Sequence, residues 1–222
     1  VNLSGLPVTA GGSDNGSIAQ YAETVAAEKP DSAFVTVGDY TLYRDGAAEN
    51  EKWAVTAYNG TPEDGALVLP ESFTVNGTEV TNYSIAARVF YGSETISSVS
   101  IPAGVTSVGA FAFSNCDNLV SVTFAEDSRL TSVGVSAFAG CEALFAIALP
   151  DSVLSVGNSA FSGCTALSSV DFGEGVQTIG SSAFASCYAL KTIVIPASVT
   201  SIQSNSFSSC ALAEVYNLAG DG

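Results

Sequence analysis

Five cysteines recur along the chain at a nearly constant interval, and a phenylalanine stands three residues before each of them. The intervals between consecutive cysteines are 25, 23, 23 and 23 residues. The pairs are Phe113 and Cys116, Phe138 and Cys141, Phe161 and Cys164, Phe184 and Cys187, and Phe207 and Cys210. A fixed period of roughly 20 to 50 residues is typical of repeat architectures, in which each unit buries its apolar face by stacking on its neighbours. The chain is therefore expected to fold as a stack of similar units.

Apolar residues occupy equivalent places throughout the repeats, as in the stretch VGNSAFSGCTALSSVDF. An aliphatic residue stands five positions before each phenylalanine, a leucine three positions after the first four cysteines, and Val or Ile six positions after them. These residues are Val108, Val133, Val156, Ile179 and Ile202; Leu119, Leu144, Leu167 and Leu190; and Val122, Ile147, Val170 and Ile193. Counting back 23 residues from Cys116 reaches Ser93. Phe90 and Ile96 stand at the matching offsets, which predicts a sixth, degenerate coil from about Ile85.

Each repeat predicts one strand and one short helical turn. The stretch from Leu119 to Phe124 ends in alternating apolar and polar residues, which is typical of a half-buried strand. The apolar spacing between Val105 and Cys116 indicates a short helix or 3-10 turn. We expect the strands to form one parallel sheet and the phenylalanines to stack inside it. The predicted sheet contains Val99, Val122, Ile147, Val170 and Ile193.

The charge and composition exclude several classes of function. The formal net charge is −16, from 22 acidic and six basic residues, which argues against nucleic acid or an anionic membrane as a partner. The chain has no histidine, so the commonest general base and metal ligand are absent. Carboxylate pairs such as Asp171 and Glu174 follow repeat strands, where a solvated turn is the ordinary place for a charge. We therefore expect no catalytic site, no cofactor and no metal.

The cysteine series has two interpretations, a disulfide or metal ladder and a column of small buried side chains. Equivalent positions on neighbouring coils keep the strand spacing of about 4.8 Å, and their side chains point the same way. A disulfide needs Cβ atoms about 3.8 Å apart. The odd number of cysteines and Ser93 in the same place favour the column of buried, unpaired thiols.

Residues 1–84 lack the repeat and predict an N-terminal cap that combines a helix with strands. Ser17 to Lys29 has an apolar face and ends at Pro30, which indicates a helix. FVTV, DYTLYR and KWAVTAY are typical of strands, and Asn76-Gly77 is a strong hairpin signal. The alternative is that this region is a separate binding module. No stretch approaches the roughly 20 apolar residues of a membrane span, and the start at Val1 indicates a processed or trimmed ectodomain.

The repeat resembles the BspA-like, or treponemal-type, leucine-rich repeat over about Ile85 to Val215. The resemblance rests on a shared order of residues in the repeats. A Leu stands three positions after the Cys and a Val or Ile six positions after it. A Pro, a Val, a Val-Gly or Ile-Gly pair and an Ala-Phe pair then follow in that order. Gln203 and Ser206 depart from the pattern, and Leu212 arrives one residue early, which suggests a terminal cap. The resemblance implies an α+β, right-handed solenoid with short parallel strands and short helical turns. Residues 85–222 are then about six 23-residue coils with a C-terminal cap.

Members of this family are mostly secreted or surface-anchored proteins of host-associated bacteria and some protists, and they are often adhesins for host matrix proteins. The resemblance therefore implies an extracellular module that binds a host or neighbouring-cell protein. The net charge of −16 separately predicts a monomer, because like-charged chains repel at low salt. A structural spacer that displays other domains is the alternative, because the outward strand positions are bland. The candidate contact residues are Ser121, Thr123, Phe145, Ala146, Ala148, Ser169, Asp171, Tyr188, Lys191, Thr192 and Tyr216.

Overall fold

The computed structural model describes residues 34–45 and 52–218, and they form a solenoid of short strands joined by turns. The strands are β1 (Phe34–Val37), β2 (Tyr40–Asp45), β3 (Lys52–Tyr58), β4 (Ala66–Val68), β5 (Phe73–Val75), β6 (Thr78–Val80), β7 (Tyr83–Ile85), β8 (Ser98–Ile101), β9 (Val105–Val108), β10 (Ser121–Phe124), β11 (Ser132–Val133), β12 (Ala146–Ala148), β13 (Ser155–Val156), β14 (Ser169–Asp171), β15 (Thr178–Ile179), β16 (Thr192–Ile195), β17 (Ser201–Ile202) and β18 (Glu214–Asn217). Within these ranges the only helical element is the 3-10 turn Glu63–Gly65. The helix expected at residues 17–29 lies outside the described residues.

Successive coils add one strand to each of two sheets. A nine-stranded sheet runs in the order β1-β2-β3-β7-β9-β11-β13-β15-β17, and a five-stranded sheet runs β14-β12-β10-β8-β4. All pairs between coils are parallel, with Val133 opposite Val156 in the first sheet and Val122 opposite Val99 in the second. The repeat predicted from the cysteine spacing is confirmed. The second strand of each coil was not predicted, because its two to four residues are too few to show a period.

The prediction of helical turns, and with it the α+β class, is wrong for the described coils. The segment around each Phe-Cys pair is a series of tight turns interrupted by residues with positive φ, such as Ser136 at 52° and Ser159 at 55°. A residue in the left-handed region cannot continue a right-handed helix. Backbone N–H groups in this segment instead donate to carbonyls of the next coil, as that of Phe113 does to the Ala137 carbonyl at 2.8 Å.

The predicted single sheet is interrupted before its last member. The strand that contains Ile193 is β16, which pairs with β18 and forms no ladder with β14 among the described strands. Phe172 follows β14 directly and turns inward, with its ring perpendicular to that of Phe184 and the centroids 5.6 Å apart. The equivalent residues in the two adjacent coils are Leu149 and Ile195.

The phenylalanine column forms the centre of the core, as the repeat predicts. Six rings from Phe90 to Phe207 lie face to face, with centroids 4.8 to 5.5 Å apart and interplanar angles of 9° or less. The four middle rings have no exposed surface. Offset stacking at this distance is favourable beyond the burial of area alone. The sixth, degenerate coil is confirmed by Phe90, which is buried and stacks on Phe113.

The repeated Val-Gly pair marks the closest approach of successive coils. A Cβ atom on Gly134 would lie 2.7 Å from the carbonyl oxygen of Val108, and one on Gly157 would lie 2.7 Å from the carbonyl carbon of Gly134. Real Cβ atoms do not make such contacts, so only glycine lets the backbones pass here.

Residues 34–45 and 52–85 extend the stack and cover its first coil. The predicted strands are confirmed as β1, β2 and β3, and β3 pairs in parallel with β7. The predicted hairpin is β5 with β6, in which Asn76 and Gly77 have φ of 51° and 81°, as a type I′ turn requires. Tyr58 packs against Phe90, with ring centroids 5.6 Å apart, and so covers the start of the column.

Truncation of a ring in the middle of the column tests this packing. We expect Phe161→Ala to lower the free energy of unfolding by about 3–5 kcal/mol, because it removes a fully buried ring and leaves a cavity between two others. Urea denaturation measures the change. Leu154→Ala in the same coil is the control, because this side chain is exposed and its loss should cost less than about 1 kcal/mol. Equal losses for the two variants would contradict the account.

Candidate functional site

The outward side of the five-stranded sheet brings together most of the candidate contact residues. The ladder sets Ser121 beside Ala146 and Ala146 beside Ser169, and it sets Ala148 beside Asp171. Thr123 lies on the same side, with its hydroxyl 3.3 Å from that of Ser100. The side chains of all these candidates are exposed. We call this surface, formed by the outward residues of β8, β10, β12 and β14, the strand face.

The remaining candidates lie beyond the interruption of the sheet. Thr192 is opposite Glu214 in the β16–β18 pair, and Tyr216 is opposite Val194. The Tyr216 hydroxyl donates to a Glu214 carboxylate oxygen at 3.2 Å. Tyr188 and Lys191 lie in the turn before β16, and both are exposed. No ladder joins this group to the strand face in the described part of the chain.

An exposed apolar pair borders the strand face. Phe145 immediately precedes β12 and is 61% exposed, and Val120 holds the equivalent place before β10 and is 51% exposed. The Phe145 N–H donates to the Val120 carbonyl at 3.2 Å, so the two residues are neighbours in adjacent coils. Val120 was not among the predicted contacts, although its position four residues after Cys116 is the position of Phe145 after Cys141. Aromatic side chains such as that of Phe145 are enriched in protein–protein interfaces.

Exposed carboxylates lie near both ends of the strands that form the strand face. Three acidic residues lie in the turns before the strands, and five lie at the strand ends or in the turns after them. They are Glu94, Asp117 and Glu142 on the first side, and Glu126, Asp127, Asp151, Asp171 and Glu174 on the second. The only basic residue from Ser93 to Cys187 is Arg129, and its guanidinium donates to the Asn82 side chain at 2.7 Å. The strand face therefore has a negative border on both sides.

A shallow groove lies where β10 and β12 end. Its volume is about 500 Å³, and its walls are the turns that follow these two strands. The lining residues include Thr123, Phe124, Glu126, Ser128, Ala148, Pro150 and Asp151. The first wall contains the two extra residues that lengthen the cysteine spacing to 25. That irregular spacing is the sequence signal for the groove.

The cysteine column is structural. Each thiol donates to the carbonyl of the phenylalanine in the preceding coil, as Cys141 does to Phe113 and Cys164 to Phe138, both at 3.1 Å. Four of the five thiols are buried, whereas Cys210 in the last coil is half-buried. Burial raises the pKa of Cys116 to about 11 and that of Cys164 to about 12. The prediction of buried thiols is confirmed for all but Cys210.

The arrangement of coils has a counterpart in a known repeat family. The pattern of the BspA type leucine-rich repeat region matches residues 83–213 in six copies. The chain belongs to the BspA type leucine-rich repeat family. Repeats of this BspA type are generally non-catalytic binding modules. No group of three His, Cys, Asp or Glu residues in the described ranges is placed to hold a metal ion.

Solved structures share the fold. A leucine-rich cell surface protein of Faecalibacterium prausnitzii is 28% identical with a TM-score of 0.63, and the match covers 88% of this chain and 56% of that one. A leucine-rich repeat protein of T. pallidum is 26% identical with a TM-score of 0.51, over 84% of this chain and 70% of that one. The pneumococcal vaccine antigen PcpA, 23% identical with a TM-score of 0.73 over 83% of this chain and 49% of that one, shows the fold alone.

This BspA type chain thus spans about half the length of two of the proteins it resembles, at 56% and 49%. None of the curated proteins matches it significantly. In residues 34–45 and 52–218 there is no helix with the length and apolar character needed to cross a bilayer.

The raised thiol pKa values predict a loss of stability in alkali. Above pH 9 the unfolded chain releases thiol protons that the buried thiols keep, so the free energy of unfolding falls as the pH rises from about 9 to 12. In the Cys164→Ser variant the free energy of unfolding should fall less steeply with pH than in the parent chain. The difference in slope should be about 1.4 kcal/mol per pH unit near pH 10 to 11. Urea denaturation across this range measures the slopes. Identical slopes for the variant and the parent chain would contradict the assignment of Cys164 as a buried neutral thiol.

Proposed function

We propose that this domain is a non-catalytic, extracellular protein-binding module that contacts a host or neighbouring-cell protein through the strand face. The observation that carries the proposal is the exposed pair Phe145 and Val120 beside that face. The inward side chains of these strands anchor them in the core, as the buried Val122 and Ile147 show. A rigid surface loses little conformational entropy when it binds.

The chemistry of the strand face indicates the kind of contact. Its small neutral side chains, such as Ser121, Ala146 and Ser169, let another backbone approach closely. The carboxylates on both borders favour a partner with positive charge at the corresponding edges, and such charges act mainly on the association rate and on specificity. The groove beside Glu126 and Asp151 is shallow, which suits a protein loop better than a small molecule.

A spacer that displays other domains is the second candidate. It is favoured by the same small side chains, because aromatic and Arg hot-spot residues are absent from the outward positions of β8, β10, β12 and β14. We further propose that the domain is monomeric, since a net charge of −16 makes copies repel one another at low salt. The division into a cap at residues 1–84 and a solenoid at residues 85–222 remains part of this proposal.

Lysine substitutions on the two sheets test which surface binds. Purified host matrix proteins are screened by biolayer interferometry against the parent chain and its variants. For a partner found in this way, we expect Ala146→Lys and Ser169→Lys to weaken binding by at least about tenfold, because they place a long charged side chain in the contact. Phe145→Ala should have a similar effect. The melting temperature should not change, because all three side chains are exposed.

The matched controls are Thr131→Lys and Gln177→Lys, which make comparable changes at exposed positions beside the nine-stranded sheet. They should bind as the parent chain does. If the controls lose binding and the strand-face variants keep it, the site lies on the other sheet. If no matrix or surface protein binds, the spacer function is supported instead.

A further inference from the structure

An exposed group of one cationic and two aromatic side chains lies beside the first two coils. The guanidinium carbon of Arg88 lies 5.1 Å from the ring centroid of Phe111 and 5.6 Å from that of Tyr91. Arg88 is exposed, Tyr91 is 40% exposed, and Phe111 is half-buried. Tyrosine and arginine are among the residue types most enriched at the energetic centres of protein interfaces. The outward positions of the strand face lack both types, so this is a second and different surface.

Arg88 and Phe111 hold the same place in successive coils, and the backbone at this place is left-handed. Their φ angles are 63° and 58°. The later coils have smaller residues there, which are Ser136, Ser159, Ser182 and Asn205. The left-handed region is uncommon for bulky side chains, and such outliers concentrate at functional sites. The turn does not require the two large side chains, because small residues adopt the same φ in the later coils.

The polar groups of this surface are hydrogen-bond donors. Within residues 34–45 and 52–218, the Arg88 guanidinium has its two ring contacts but no hydrogen bond and no ion pair. The side-chain amide of Asn115 donates to the Tyr91 hydroxyl oxygen at 3.0 Å, which leaves the O–H of Tyr91 to donate to another group. The ring contacts restrict the guanidinium before any ligand arrives. These donors suit a carboxylate, whose two oxygens can both accept from one guanidinium.

Apolar surface continues from the rings to the next coil. The Phe111 N–H donates to the Val135 carbonyl at 2.9 Å, so these two residues are neighbours. Val135 is 44% exposed. The equivalent residue one coil further on is the polar Asn158. We call the surface formed by Arg88, Tyr91, Phe111 and Val135 the Arg88 cluster. A ligand that fits it needs apolar groups close to its carboxylate.

The charge of the chain favours an isolated carboxylate over a polyanion. Arg88 is the only basic residue between Trp53 and Asp127, and the whole chain has a net charge of −16. Nucleic acids and anionic membranes bind through several Lys or Arg side chains that act together. A single guanidinium beside apolar surface instead complements a single carboxylate beside apolar side chains.

We propose that the Arg88 cluster is a contact site for a Glu or Asp side chain of a partner protein, in a segment with apolar residues two positions before and after it. Alternate side chains of an extended segment lie on one side, so the three reach the cluster together. The carboxylate accepts from Arg88 and Tyr91, and the apolar side chains lie against Phe111 and Val135. Charge complementarity supports this occupant, because no carboxylate of the described ranges pairs with Arg88. The site goes beyond the strand face, whose acidic borders suit a partner of opposite charge.

Two pentapeptides that differ in one charge are the probes. Acetyl-FSESF-amide and acetyl-FSQSF-amide are titrated into the full 222-residue chain labelled with nitrogen-15. We expect the Glu peptide at millimolar concentration to shift the side-chain Nε–H signal of Arg88 and the amides of Phe111 and Val135. The Gln peptide should bind at least about tenfold more weakly, because a neutral amide replaces the charged acceptor.

Variants of the chain locate the contact. Arg88→Gln should weaken binding of the Glu peptide by at least about tenfold, whereas Arg129→Gln, which makes the same change in charge, should leave it unchanged. Arg88→Lys should also bind weakly, because an ammonium cannot form the paired hydrogen bonds of a guanidinium. Phe111→Ser supplies the residue that Ser136 provides in the next coil, so it should weaken binding and leave the melting temperature at or above that of the parent chain.

Three results would overturn the proposal. The first is the absence of shifts at the Arg88 cluster with millimolar Glu peptide, and the second is equal binding of the two peptides. The third is a shift of the same signals by methyl glucuronide but not by the Glu peptide, because the ligand would then be an acidic sugar. Ala146→Lys on the strand face should not change peptide binding, so this site and the proposed function are tested separately.

Discussion

Backbone hydrogen bonds between coils, rather than within them, are the interaction on which this structure depends. A chain segment with left-handed residues at Ser136 and Ser159 cannot satisfy its own polar groups as a helix does. The N–H groups of Phe113, Phe138 and Phe161 reach carbonyls of the next coil at 2.7 to 2.8 Å. Each coil is therefore complete only when another coil lies on it, and the Val-Gly contacts, the ring stack and the thiol column all follow from that close approach.

The same dependence explains where function is possible. Stacking uses the inward side chains of every coil, so the positions left for recognition are the outward strand residues and the turns that border them. Phe145 and Val120 stand on such a border, and the acidic residues line the turns. At the N-terminal side of the ring column the situation differs, because Phe90 is covered by Tyr58.

The amino-acid sequence alone predicts the features that repeat. Phe161 and Cys164 recur in register with their equivalents, so their burial and their columns can be read from the spacing. The conformation of the turns around them cannot be predicted in this way. Apolar spacings of three to five residues occur both in a helix and in tight turns whose backbone is hydrogen-bonded to the next coil. The groove at Glu126 depends on a single irregular repeat, for which no second copy exists to compare. The alternation of residues places candidate contacts such as Ala146 on the outward face of the strands. The repeat pattern does not indicate which partner binds that face.

Amide hydrogen exchange at the ring column tests the inter-coil account most directly. The Phe161 N–H donates to the Ala183 carbonyl at 2.7 Å, whereas the Phe207 N–H has no acceptor among the described residues. Both residues belong to the same stack and hold the same place in their coils. The account predicts that Phe161, like Phe138 and Phe184, exchanges only through global unfolding, and that Phe207 exchanges many orders of magnitude faster. Exchange of Phe161 at the rate of Phe207 would contradict it.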